Sequence, residues 1–123
     1  MTRGTAAPTE RELEVLKILW EMGTASVRQV YEHMRLTEDI AQNTVQTFLR
    51  MMEDKGLVEH KTEGRTFIYT PLYTRERTVS RFLTRVFDGA VDELVMNALS
   101  AKKPSEKEFE AIEKMLQDAR KRR

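Results

Sequence analysis

A single pair of β-leaning segments interrupts a chain whose apolar residues otherwise recur with helical spacing. The two segments, residues 57–61 and 66–70, flank a loop at residues 62–65 in which Gly64 can supply the positive φ of a hairpin turn. Three helical patterns precede this hairpin and three follow it. This order predicts an α+β, mainly helical fold, in which the first three helices form a helix-turn-helix unit and the hairpin is its wing.

Side-chain caps mark the expected starts of three helices. Each is a Ser or Thr followed three residues later by Glu or Gln, the spacing at which two side chains satisfy each other's backbone N–H groups. The pairs are Thr9 with Glu12, Ser26 with Gln29, and Ser105 with Glu108. The first helix is apolar around most of its circumference and is expected to end before Gly23, and residues 24–25 then form a short extended link.

The remaining helices follow from apolar stripes. The third is expected from Gln42 to Lys55, with Gly56 as its stop. After Pro71 closes the hairpin, three more apolar stripes recur with helical spacing. They cover residues 79–87, 91–99 and 109–119.

The pattern divides the chain into a winged helix-turn-helix domain at residues 7–72 and a helical dimerisation domain at residues 73–123. The second part offers little interior in which three apolar stripes can be buried. A second copy of the chain is therefore the expected cover, and a two-fold homodimer the expected form. The residues expected at that interface are Phe82, Leu83, Val86, Leu94, Val95, Leu99, Phe109, Ile112 and Leu116.

Composition argues against several classes of protein. The chain has no cysteine, so disulfides and thiolate metal sites are excluded. No apolar run approaches the roughly 18 residues of a membrane span, and a cytoplasmic location without membrane insertion is expected. No serine lies in a nucleophile elbow and no glycine loop could cradle a phosphate, so neither enzyme activity nor a cofactor is expected. His33 and His60 stand alone in the sequence, and no metal site is expected from them.

The net charge alone does not identify a nucleic-acid-binding protein. It is +1 for the chain, and residues 1–72 carry nine Lys and Arg against eleven Asp and Glu, a balance of −2. A DNA-binding domain is usually basic. DNA binding therefore depends on where individual side chains cluster, and the acidic balance keeps a second hypothesis open, that the winged helix docks another protein.

The exposed face predicted for the third helix is suited to DNA. Opposite its apolar stripe lie short or forked polar side chains whose donors and acceptors fit base edges and phosphates. These are Asn43, Gln46, Thr47 and Arg50. Residues 42–47 contain neither Glu nor Lys, although exposed helices normally carry both. A solvated face, with Arg50 paired to Asp54 at i+4, is the alternative.

Cations on other elements are placed to reach the DNA backbone. Arg65 at the hairpin tip and Lys61 on the first wing strand are suited to phosphate or the minor groove, and an ordinary charged turn is the alternative. Arg28 opens the second helix, where free N–H groups favour a phosphate, whereas its neighbour Gln29 could serve only the capping box. An arginine recurs every four residues on the polar side of the fourth helix, and these side chains could contact DNA or simply be solvated. The repeat comprises Arg77, Arg81 and Arg85.

Several stretches of the sequence, most specific up to Pro71, carry a family resemblance. They are Pro8-Thr9, residues 12–16, Leu19-Trp20, residues 27–30, residues 43–47, Leu49-Arg50, residues 55–57, Gly64-Arg65, Tyr69 and Pro71. On these residues the chain resembles the penicillinase-repressor family of winged-helix transcriptional regulators, the BlaI/MecI/CopY type. The resemblance implies a homodimeric repressor of β-lactam-resistance or other stress-response genes that binds an inverted-repeat operator in double-stranded DNA. The DNA-binding residues expected are Arg28, Gln42, Asn43, Thr44, Gln46, Thr47, Arg50, Lys61 and Arg65.

The resemblance also implies a route of induction. In the family, a membrane-bound sensor metalloprotease triggers cleavage within the dimerisation helices at an Asn-Phe bond. The corresponding residues here are Asn97 and Ala98, so the asparagine is kept and the aromatic residue is replaced. Cleavage at this bond is one interpretation. The other is that Asn97 only flanks the apolar stripe of the fifth helix and Ala98 packs against a neighbouring helix. Copper-responsive members carry cysteine motifs that this chain lacks, so copper sensing is not expected.

Overall fold

The computed structural model of the chain describes residues 7–122, which form helices and a small antiparallel sheet, and this confirms the predicted α+β, mainly helical class. In chain order the elements are α1 (Glu10–Met22), β1 (Ala25–Ser26), α2 (Val27–Met34), α3 (Gln42–Asp54), β2 (Val58–Glu63), β3 (Thr66–Pro71), α4 (Arg75–Phe87), α5 (Val91–Ala101) and α6 (Glu106–Lys121). The chain divides into two compact units, one up to Val79 and one from Ser80 onward.

The predicted capping boxes form at the starts of α1, α2 and α6. At α1, Thr9 Oγ1 accepts from the backbone N–H of Glu12 at 3.2 Å, and the Glu12 carboxylate accepts from the N–H of Thr9 at 2.9 Å. Each box satisfies N–H groups that would otherwise lack partners in the first turn. The helix α4 begins at Arg75, one turn before the apolar stripe that predicts it. Its first turn is polar, and Thr74 Oγ1 accepts a hydrogen bond from the backbone N–H of Arg77 there.

The hairpin is longer than the sequence predicts. β2 and β3 pair from Val58 opposite Pro71 to Glu63 opposite Thr66, so the turn is only Gly64 and Arg65, and the predicted four-residue loop is wrong. Glutamate has a weak preference for strands, and cross-strand pairing outweighs it here. Gly64 has a φ of +63° and Arg65 has no positive φ, the pattern of a type II′ turn with glycine first. The β2–β3 hairpin is called the wing below.

The short link after α1 is a strand rather than a connection. Ala25 lies opposite Tyr69 and Ser26 opposite Ile68, so the sheet order is β1-β3-β2 and β3 is its central strand. The pairing reaches across more than forty residues, which is beyond the range of local sequence patterns.

The core of the first unit is formed by α1, α2, α3 and the sheet. Its buried apolar side chains are Val15, Leu16, Leu19, Ala25, Val30, Met34, Val45, Leu49, Met52, Leu57, Val58, Tyr69 and Tyr73. Trp20 packs against this core, and its indole Nε1 donates to the carbonyl O of Tyr73 at 2.8 Å. That bond holds the chain that leaves β3 against α1.

The second unit has a different character. Within residues 80–122 no side chain is buried, and large apolar groups stay at the surface of all three helices. No helix in the described part of the chain is both long and apolar enough to cross a membrane.

Candidate nucleic-acid interface

One side of α3 is buried and the opposite side faces solvent. At about 100° per residue, Asn43, Thr47 and Arg50 lie opposite the buried stripe, and all three are exposed. Gln42 and Gln46 lie on the flank of the helix that faces the wing, and both are exposed as well. The polar face predicted for this helix therefore exists, and it divides into an outward part and a wing-facing part.

One hydrogen bond determines what Thr47 can offer to a ligand. Its Oγ1 donates to the carbonyl O of Asn43 at 3.0 Å, one turn earlier in the helix. Because the hydroxyl proton is used inside the helix, the side chain presents its methyl group and an oxygen lone pair to the outside. A methyl group in this position is suited to apolar contact with the 5-methyl group of thymine.

Arg50 extends from the same face. In the described part of the chain it forms no ion pair with Asp54, so the alternative interpretation of this residue is not supported. Burial raises the pKa of the Tyr69 hydroxyl, and the charge of Glu53 raises it further while Arg50 lowers it. The guanidinium of Arg50 is therefore close enough to the base of the wing to contribute positive potential there.

Three elements close around an open concavity of about 370 Å³. α2 contributes Arg28, α3 contributes Gln42 and Gln46, and the wing contributes Arg65. Two guanidinium groups and two amides thus line the same concavity. Four of the residues predicted to bind DNA are brought together from distant parts of the sequence onto one concave surface.

The two neighbours at the start of α2 have different roles. Arg28 Nε lies 3.2 Å from Glu32 Oε1, and their side chains are 68% and 44% exposed. An ion pair this exposed contributes little to stability, so the guanidinium can exchange Glu32 for a phosphate. Gln29 completes the capping box with Ser26, at 2.9 Å and 3.1 Å, so the predicted box is present.

Five of the nine predicted DNA-binding residues do not line the concavity. Asn43, Thr47 and Arg50 lie on the outward face of α3, whereas Lys61 and Thr44 lie on other surfaces. Lys61 is exposed and pairs with Ile68 across the ladder, so the alternation of side chains puts it on the opposite face of the wing from His60 and Phe67. Thr44 is exposed on the flank of α3 turned away from the wing. The structure therefore separates Lys61 and Thr44 both from the four residues that line the concavity and from the outward face of α3.

Phe67 was missed by the sequence analysis. Its side chain is 45% exposed and lines the concavity beside Thr66 and Arg65. The ring stacks on the imidazole of His60, with centroids 4.1 Å apart and planes at 17°. Phe67 shares a face of β3 with the buried Tyr69, so an aromatic residue one step beyond the buried end of the strand is the signal that could have found it.

The fold brings to His60 an acidic partner that the sequence analysis did not identify. Its Nδ1 lies 2.7 Å and 2.8 Å from the two carboxylate oxygens of Glu53, and its backbone N–H donates to Glu53 Oε2 at 3.3 Å. A carboxylate can only accept, so Nδ1 carries the proton. One imidazole and one carboxylate do not make a metal site, and residues 7–122 contain no cluster of three or more metal-ligating side chains.

The residues predicted at the dimer interface lie on α4, α5 and α6, and none is buried. Phe82, Val86, Val95, Leu99, Phe109 and Leu116 are exposed, whereas Leu83, Leu94 and Ile112 are half-buried. The repeated arginines on α4 differ from one another. The Arg77 guanidinium lies 5.4 Å from the ring centre of Tyr73, Arg81 is half-buried and Arg85 is exposed.

The peptide bond between Asn97 and Ala98 lies inside α5. Both residues are exposed, and Asn97 Nδ2 donates to the carbonyl O of Glu93 at 2.8 Å. A protease takes its substrate in an extended conformation, so α5 must open locally before this bond could be cut.

The sequence matches the Penicillinase repressor family over residues 8–118. It is 28% identical over 119 residues to the Penicillinase repressor of Bacillus licheniformis, with 94% of this chain and 93% of that protein covered. It is 25% identical over 120 residues to the methicillin resistance regulatory protein MecI of Staphylococcus aureus strain N315, with 94% and 98% covered. Among solved structures, Bacillus licheniformis BlaI, in its monomeric form in complex with the blaP half-operator, superposes with a TM-score of 0.52 at 29% identity over 62% of this chain and 93% of that one.

Proposed function

Since the chain belongs to the penicillinase repressor family of winged-helix DNA-binding repressors, we propose that it represses transcription as a homodimer bound to an inverted-repeat operator. Transcriptional repressors are not a class of enzyme. The observation that carries the proposal is the concavity that joins Arg28, Gln42, Gln46 and Arg65.

In this proposal α3 enters the major groove and the wing follows the adjacent backbone. Gln46 offers an amide that can bond adenine N6 and N7, and Thr47 offers its methyl group to thymine. Arg28 and Arg65 hold phosphates on either side of the helix and fix its register. The half-operator bound by the Bacillus licheniformis relative supports duplex DNA as the ligand.

The homodimer is supported by the exposed apolar side chains of residues 80–122. Phe82 and Val95 are 49% and 42% exposed, and burying such groups is worth about 25 cal/mol for each Å² removed from water. A two-fold dimer presents two copies of α3 to DNA, so its operator is an inverted repeat whose half-sites lie about one or two helical turns apart.

The regulated genes and the inducing step follow from the relatives. One relative is named for penicillinase and the other for methicillin resistance. We infer that this chain controls β-lactam-resistance or other stress-response genes and that it acts in the cytoplasm. Repression ends when the dimer is lost. The bond between Asn97 and Ala98 is the proposed position for a cut triggered by a membrane-bound sensor protease.

The test starts from DNA that crosslinks to the protein in cells. A duplex carrying the recovered inverted repeat is titrated with the full chain over a series of salt concentrations, next to a scrambled duplex of equal length and composition. We expect specific binding whose affinity falls steeply with salt, because phosphate contacts release counterions. Equal affinity for both duplexes, or binding without a salt slope, would contradict the proposal. That result would favour protein docking, which the net charge of −2 on residues 1–72 supports.

A further inference from the structure

We propose that His60 is a positioning residue for operator binding, which holds the wing against α3 through Glu53 so that Arg65 and Gln46 engage the same stretch of DNA. The inference rests on the proposed DNA-binding function and adds to it a residue that need not touch DNA.

The wing tip has little support of its own. β1 pairs with β3 only at Tyr69 and Ile68, so beyond Ile68 the wing is a two-stranded ribbon that ends at Gly64 and Arg65. Residues 61–67 are all exposed. A two-stranded ribbon in water is marginally stable, so the position of its tip must be set by contacts near its base.

His60 makes such a contact. It lies opposite Tyr69 in the ladder, and its Nδ1 is 2.7 Å from Glu53 Oε1 in the last turn of α3. Between the side chains of the wing and the helices, no other hydrogen bond occurs in the described residues. The two side chains are 30% and 29% exposed, so water and salt screen this pair less than a fully exposed one.

The His60 imidazole also contacts side chains that lie closer to the wing tip. It stacks on Phe67 at 4.1 Å and meets the Tyr69 ring at 5.6 Å with the planes tilted by 49°. Phe67 is two residues from Arg65 and lines the concavity with it. A continuous set of contacts therefore runs from Glu53 through His60 and Phe67 to the turn that carries the cation.

The position of Glu53 points to a role in alignment. It follows Gln46 by seven residues, so the two lie about 20° apart around α3, on the flank that faces the wing. A bare carboxylate on this flank would repel phosphate. The Glu53 carboxylate instead accepts a hydrogen bond from His60 Nδ1, and this bond sets the spacing between α3 and the wing.

The experiment uses the salt dependence of operator binding as its readout. Arg65→Ala should reduce the slope of log K against log salt by about 0.9, the value for one phosphate contact. His60→Phe keeps an aromatic ring on Phe67 and removes the bond to Glu53. We expect it to reduce the slope by the same amount although Arg65 is still present, and Arg65→Ala should then have no further effect. His60→Gln, which restores a donor to Glu53, should return the slope to that of the parent.

Three results overturn the inference. If His60→Phe keeps the parent slope and Arg65→Ala lowers it equally in both backgrounds, the pair only stabilises the fold. If the two effects add, His60 itself contacts phosphate. If His60→Gln behaves like His60→Phe while urea denaturation shows both folded, the bond to Glu53 does not position the wing. A parent that shows no salt slope refutes the proposed function, and the inference falls with it.

Discussion

The carboxylate of Glu12 accepts from Lys55 Nζ, at 3.0 Å to Oε1 and 2.8 Å to Oε2, and so joins the first turn of α1 to the residue that follows α3. The same carboxylate caps the N–H of Thr9 at 2.9 Å. The Glu12 side chain is 7% exposed and that of Lys55 33%. One buried group thus sets both the start of a helix and the end of the helix proposed to enter the major groove.

Glu12→Gln should lower the free energy of unfolding by about 2 kcal/mol, because Lys55 loses its charged partner in a partly buried site. The capping bond to Thr9 can persist, since the glutamine amide oxygen still accepts. Urea denaturation of both proteins measures the difference. Glu14→Gln is the matched control, because Glu14 pairs with Arg11 at 3.0 Å on the exposed side of α1 and its loss should cost under about 0.5 kcal/mol. Equal losses in the two variants would contradict the role given to Glu12.

Acid should remove the same contribution. Burial opposes the charged form of Glu12, but the hydrogen bonds from Lys55 and Thr9 outweigh it and hold the pKa below its ordinary value of 4.5. A lowered pKa in the folded state means that the contribution is fully present above that ordinary value and is lost as the pH falls through the lowered pKa. We therefore expect the stability advantage of the parent over Glu12→Gln to be constant near neutral pH and to shrink in urea titrations below pH 4.5. An advantage that is independent of pH would show that the charge of Glu12 is not its cause.

The helix starts could be read from the sequence because their causes are local. Thr9 and Ser26 each bond a residue three positions ahead, and that spacing is visible without a fold. The pairing of β1 with β3 and the bond from Lys55 to Glu12 join residues more than forty positions apart, so no local pattern contains them.

The candidate interface divides in the same way. Gln46 and Arg65 were predictable because helical periodicity and a glycine turn orient them. The exposure of Phe67 and the bond between His60 and Glu53 depend on how the wing lies against α3, which is a tertiary relationship.

Substitutions on α3 and on the wing should weaken DNA binding in different ways. Gln46→Ala should reduce the free energy of binding to the operator by about 1 to 3 kcal/mol. It should have little effect on binding to operators that are altered at the base that Gln46 contacts. Arg65→Ala should weaken binding to every sequence alike, because a phosphate contact carries no base information. Affinities for the operator and a panel of single-base variants separate the two patterns. Lys17→Ala, which removes an exposed cation from α1, should bind like the parent. If Gln46→Ala and Arg65→Ala show the same pattern across the panel, α3 does not read bases at this position.

A charge placed on the apolar side of α4 should dissociate the dimer. Phe82 is 49% exposed, and Phe82→Asp would put a carboxylate into the interface proposed for this helix. Sedimentation should show a dimer for the parent and a monomer for the variant at micromolar concentration. Thr84→Asp adds the same charge about 200° around the helix, where Thr84 Oγ1 bonds the carbonyl O of Ser80, and should leave the dimer intact. A parent that is monomeric under these conditions would refute the proposed assembly.

Ending the chain after Asn97 should separate folding from repression. The buried core of the first unit lies between Val15 and Tyr73, so the winged helix should stay folded without α6 and the last turn of α5. A dimer joins two half-site contacts, and a monomer loses the gain in effective concentration that this linkage supplies. We therefore expect affinity for the full operator to fall at least about tenfold, or about 1.4 kcal/mol, while affinity for a single half-site stays that of the full chain. The half-site titration is the internal control, since a loss there would mean that the truncated protein is damaged rather than monomeric. If the truncated protein occupies the full operator at the same concentration as the full chain, dimerisation does not control binding. A cut at Asn97 could not then relieve repression, whether or not a protease makes it.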